Sequence, residues 1–204
     1  MSSGPVPIPK LARPAVVLID AQPGFMVNMA GRREALELRL ERLLILAGAL
    51  ELPTLATFER PDVNGWLPAA CEKAWPQSGL RLEKRSFDCC RDEQIRAAIA
   101  GLDREQLLVA GSETDVCVLQ STLSLLELGY QVFLLDDCVF SSEPHPETAL
   151  RRMEAAGAVP ATLKTAIYEL KREVCEPADP AAGRGGWEAL MHRLGDPEAW
   201  PSWR

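Results

Sequence analysis

Short, nearly continuous apolar runs alternate along this chain with longer stretches of helical period, and this alternation narrows the fold more than any other feature. Runs at residues 15–20 (AVVLID), 53–58 (PTLATF), 80–84 (LRLEK), 107–111 (LLVAG) and 130–136 (YQVFLLD) read as strands, with a sixth at 159–163. Strands that are apolar throughout belong to a parallel sheet buried on both faces, because each crossover connection lays a helix on the sheet. The stretches between them fit that role. Residues 32–50 place Leu36, Leu40, Leu43 and Ala47 on one helical face. Further helices are expected at 92–100, 116–128, 146–156 and 166–171, the second and third of these followed by Gly129 and Gly157. The expected architecture is α/β, three layers with a central parallel sheet.

With 204 residues the chain builds one sizeable core. A single domain over residues 1–175 is expected, followed by a tail at 176–204 rich in Pro and Gly that carries Trp187, Trp200 and Trp203. Those tryptophans need an apolar surface, either on their own chain or on a neighbouring subunit. The net charge of -7 has no basic block, which argues against a nucleic-acid partner. No apolar stretch is long enough to span a bilayer, and residues 1–10 lack a signal-peptide core, so a cytoplasmic protein is expected. The six cysteines are scattered and form no C-x-x-C pair, and His145 and His192 are the only histidines. Reduced thiols and no bound metal or cofactor follow as expectations.

In an open parallel sheet, ligands bind beyond the carboxyl ends of the strands. Asp20 ends the first strand, Lys84 ends the third, and Cys117 lies just past the fourth at the start of a helix. A thiol at a helix N-terminus beside an ammonium is expected to have a lowered pKa. Each residue also has a plainer role: a buried cysteine packs as a small apolar group, and a strand-end aspartate caps a turn. The three together at one sheet edge point to nucleophilic chemistry.

Three segments carry a family resemblance. VVLIDAQPGFM is similar to an apolar strand followed by D-x-Q-x-x-F (Asp20, Gln22, Phe25), EKRSFD to a lysine segment (Lys84, Phe87), and GSETDVCV to a G-x-x-T-x-x-C-V run. Together they resemble the isochorismatase-like cysteine hydrolase superfamily over residues 14–172. The resemblance implies a six-stranded sheet in order 3-2-1-4-5-6 and a cis peptide at Ser112-Glu113. It further implies an oxyanion hole made by the backbone amides of Glu113 and Cys117.

The implied activity is hydrolysis of a C–N, amide-like bond of a small molecule through a thioester on Cys117. Asp20 serves as base, Lys84 as thiolate partner, and a homo-oligomer is implied. Metal-binding members carry histidines after the second strand, where this chain reads TFERPDVNGWLPAACEKAWP. That stretch resembles a metal-free substrate wall, with Glu59, Asn64 and Trp66 joining Gln22, Phe25 and Phe87 as pocket residues. Two other readings stand beside this one: a catalytically silent binding or scaffold subunit, and a thiol redox protein using Cys89 and Cys90.

Overall fold

A computed structural model describes residues 9–29, 31–171 and 183–201. Six strands form one all-parallel sheet: β1 (Ala15–Ile19), β2 (Thr54–Glu59), β3 (Leu80–Lys84), β4 (Gln106–Ser112), β5 (Gln131–Phe140) and β6 (Val159–Ala161). Their order is β3-β2-β1-β4-β5-β6, as the family resemblance implies. The chain direction across the sheet therefore reverses between β1 and β4, which opens a crevice at their carboxyl ends.

Because side chains alternate across a strand, each strand supplies both faces of the sheet. Val16, Leu18, Ala56, Phe58, Leu108 and Ala110 pack into one buried cluster. That cluster is covered by α2 (Arg33–Ala49), α8 (Leu163–Lys171) and α9 (Gly183–Leu194). Ala15, Val17, Ile19, Leu107, Val109 and Val132 face the other way. There they meet α5 (Glu93–Ala100), α6 (Leu119–Glu127) and α7 (Glu147–Ala155).

Several elements differ from the sequence reading. β5 runs on to Phe140 instead of ending near residue 136. Its register against β4 shifts between Val109 and Gly111, which lets the strand continue past Asp136 and Asp137. Short helices α1 (Pro23–Met26), α3 (Pro61–Asn64) and α4 (Ala69–Ala74) lie within stretches where no helix was expected. The first two begin at a proline, which is pre-set for the first helical turn. The tail also holds a helix, α9, which lies against α2 with Leu190 and Leu194 buried and Trp187 and Trp200 packed beside them. Cys175 and Trp203 lie outside the described residues. No helix among the described residues is long and apolar enough to cross a membrane.

Candidate active site

Strand register brings the charged residues to one edge. Ile19 pairs with Thr57 of β2 and with Gly111 of β4, so Asp20, one residue further, stands between the ends of both neighbours. β2 continues to Glu59, whose partner in β3 is Lys84. The chain leaves β1 through Asp20 at φ 45, a conformation that aspartate tolerates better than most residues.

Around Asp20 the polar groups are tightly paired. Its Oδ1 accepts from Thr57 Oγ1 at 2.9 Å, and its backbone carbonyl accepts from Ser112 Oγ at 2.6 Å. Its Oδ2 lies 2.6 Å from Lys84 Nζ. The Asp20 and Lys84 side chains are fully enclosed. Lys84 Nζ also donates to the carbonyls of Ser86 and Phe87, at 2.9 and 3.3 Å, and stands 3.5 Å from Cys117 Sγ.

The loop that offers those carbonyls is itself held. Ser86 Oγ donates to the Asp88 carbonyl, Asp88 Oδ1 accepts from the Cys90 amide, and Asp88 Oδ2 accepts from Ser124 Oγ of α6. The Cys89 amide donates to Ser121 Oγ, also on α6.

Cys117 sits in a single π-helical turn, Thr114–Val118, that leads into α6. Such turns interrupt the regular ladder and recur at functional sites. The Ser112-Glu113 peptide just before it is cis. The Glu113 carbonyl accepts from the amides of both Val116 and Val118, which fixes the turn.

The electrostatics differ from the expectation of a lowered thiol pKa. Burial pushes the Cys117 thiol up to about 12, and the Asp20 and Glu59 charges add to the rise while Lys84 opposes it. Cys117 therefore rests as a thiol. Burial also raises the Asp20 carboxyl, against the pull of Lys84 and Thr57. Lys84 loses by burial but gains more from Asp20, Cys117 and Glu59, and its pKa ends raised. Burial, reinforced by two nearby carboxylates, outweighs Lys84 and keeps the proton on the Cys117 sulfur.

Glu59, read from the sequence as one wall residue among several, belongs to the charged centre. Its Oε2 is 3.7 Å from both Lys84 Nζ and Cys117 Sγ, and its side chain keeps 24% of its surface exposed. Asp20, Glu59 and Cys117 have donor atoms within 4.8 Å of one another, a set that suits a cation. The Lys84 ammonium already supplies that charge.

Gln22 and Asn64 hold the wall instead of facing the cleft. Gln22 is buried, accepts from the Glu59 amide at 2.7 Å and donates to the Gly65 carbonyl, while Asn64 Nδ2 donates to the Glu59 carbonyl at 2.8 Å. Phe25 packs on the core cluster. Phe87 is exposed on a cleft shared with Glu59, Arg60, Lys84, Arg91 and Gln120, and Trp66 is half-exposed with its ring 4.8 Å from that of Phe58. Thr57, Ser121 and Ser124 were not singled out in the sequence. A threonine within the apolar run PTLATF was the one available signal for Thr57. Cys89 and Cys90 are free and buried with sulfurs 4.0 Å apart, about twice a disulfide bond length.

Comparison with known proteins bears on the family and the fold. The isochorismatase domain family matches residues 14–165. Isochorismatase family protein 2A of Dictyostelium discoideum is 37% identical over 163 residues, covering 76% of this chain and 81% of the relative. Isochorismatase family protein 1B of the same organism is 39% identical over 93 residues, and that match spans 45% of each chain, less than half of the relative's length.

Two solved structures superpose with a TM-score of 0.81 at 26% identity over 92% of this chain. One is YcaC from Pseudomonas aeruginosa, with hexane-2,5-diol and covalent acrylamide, of which 92% is covered. The other is the Escherichia coli YcaC gene product, an octameric hydrolase of unknown specificity, of which 91% is covered. With the sheet order, the family match and these relatives in agreement, the chain belongs to the isochorismatase family.

Proposed function

We propose that the protein is a cysteine hydrolase that cleaves the C–N bond of a small amide-like molecule through a thioester on Cys117. One observation carries the reading: a buried ammonium, Lys84 Nζ, contacts the Asp20 carboxylate at 2.6 Å and the Cys117 sulfur at 3.5 Å. A carboxylate, an ammonium and a thiol in mutual reach form an activated-nucleophile arrangement.

Substrate enters from the side of Glu59 and Phe87, since Asp20 is sealed from solvent. As the sulfur attacks the carbonyl carbon, the thiol proton passes to Asp20, whose raised pKa suits it to hold one. Lys84 offsets the negative charge that develops on sulfur. The backbone amides of Glu113 and Cys117 bind the tetrahedral oxyanion. Asp20 then returns the proton to the leaving nitrogen as the C–N bond breaks. The acyl group stays on Cys117 until water removes it.

The covalent acrylamide held by the related YcaC supports a reactive nucleophile in this fold. The octamer of the Escherichia coli relative supports a homo-oligomer, and the five free cysteines of the described residues suit a reducing, cytoplasmic setting. A panel of primary amides and N-carbamoyl compounds tests the reading. Cys117→Ser and Lys84→Met are expected to lower turnover of any substrate found by on the order of 10⁴-fold or more. Turnover that survives in Cys117→Ser would end the proposal, and no turnover across the panel would favour a binding subunit.

A further inference from the structure

Two carboxylates flank the nucleophile, and their surroundings differ. Asp20 has no exposed surface, and its oxygens are engaged by Thr57 Oγ1 at 2.9 Å and Lys84 Nζ at 2.6 Å. Glu59 lines the cleft, is partly open to solvent, and points Oε2 at Cys117 Sγ from 3.7 Å. Its backbone is held at both ends of the residue, by Gln22 Oε1 on the amide and Asn64 Nδ2 on the carbonyl. A hydrolytic water must reach the thioester carbonyl from the solvent side and needs an acceptor for its proton within one hydrogen bond.

We infer that Glu59 is the catalytic base for the second half of the reaction, activating the water that hydrolyses the Cys117 thioester. The inference rests on the thioester reading above and divides the work between the two acids: Asp20 manages the proton of acylation and Glu59 that of deacylation. The water oxygen bonds to the carbonyl carbon as one of its protons passes to Glu59. The carbon–sulfur bond then breaks, the acid product leaves, and the thiolate recovers its proton from Glu59 across the same 3.7 Å contact. Thiol, Asp20 carboxylate, Glu59 carboxylate and Lys84 ammonium are all restored. Lys84 Nζ, 3.7 Å from Glu59 Oε2, holds that side chain toward the sulfur between turnovers.

The test uses p-nitrophenyl acetate, which transfers an acetyl group to a thiol and releases p-nitrophenolate, so that no natural substrate is required. The nitrophenolate burst reads acylation, and intact mass reads loss of the acetyl group from the full-length protein. Glu59→Gln is expected to acylate within about threefold of the wild-type rate and to deacylate about 100-fold or more slowly. Glu59→Asp, which keeps a carboxylate, should recover part of the deacylation rate that Glu59→Gln loses. Hydroxylamine, which attacks without a base, should discharge the Glu59→Gln acetyl-enzyme as fast as wild type. Equal deacylation in wild type and Glu59→Gln would overturn the inference while leaving the thioester reading intact. Equal slowing of both half-reactions would also overturn it, reducing Glu59 to a positioning residue. No acetyl group on Cys117 in wild type would remove both.

Discussion

Asp20 and Lys84 are each costly to bury alone and tolerable together. Their contact at 2.6 Å, with both side chains sealed, means that removal of one partner strands the other charge. Asp20→Ala is therefore expected to destabilise the fold by about 3–5 kcal/mol in urea unfolding. Asp20→Asn should cost less, because asparagine accepts the φ of 45 at this position and its one amide oxygen can face Lys84 while its Nδ2 donates to Thr57 Oγ1. Wild-type stability in Asp20→Ala would mean that Lys84 does not depend on this pair. The positions of these residues were legible in the sequence because strand ends in a parallel sheet are where the chain turns toward ligand. The protonation of Cys117 was not, since the helix terminus that favours a thiolate was visible and the second carboxylate, Glu59, was not placed beside it. That placement depends on register: one residue of slip between β1 and β2 would turn the Glu59 side chain to the other face.

Among the elements, β1 and β4 set the site by their closeness. A Cβ on Gly111 would stand 1.8 Å from the Ile19 carbonyl oxygen, and its φ of 123 is one that side chains rarely adopt. Gly129, at φ 90 between α6 and β5, has nothing within 4 Å of the same hypothetical atom. The two glycines separate strain from collision. Gly129→Ala is expected to lower stability by about 1–2 kcal/mol, the cost of the backbone alone. Gly111→Ala should cost about 3 kcal/mol or more and disturb the Asp20 turn as well. Thermal unfolding of the pair checks this, and equal losses would show that the strands do not meet so closely. Strand and helix identities were readable from apolar periodicity. The π-helical turn at Thr114–Val118 was not, because a single turn of five residues leaves no periodic trace. The tail helix was hidden by its glycines, whose low helix propensity is offset by packing Leu190 and Leu194 against the core.

Across the whole molecule, two buried clusters on the faces of one sheet enclose most of the described thiols. Burial, with neighbouring acids, pushes Cys71 up to about 12, as it does Cys117, and Cys138 is raised well above the ordinary value near 9. Between about pH 9 and pH 12 the folded chain keeps these protons while the unfolded chain releases them, so stability falls as pH climbs through that window. Each such thiol contributes a slope of about 1 kcal/mol per pH unit. Urea midpoints between pH 8 and 11 check this, and Cys71→Ala should show a shallower decline than wild type. On the proposed reading Cys117, whose sulfur contacts the cleft residue Glu59, is the thiol that takes the acyl group. Acid quenching during turnover of p-nitrophenyl acetate, followed by peptide mapping, tests that most directly. An acyl mass on the Cys117 peptide, absent in Cys117→Ser along with product formation, is the predicted result, and product formation that continues in Cys117→Ser with no acyl group on that peptide would contradict it.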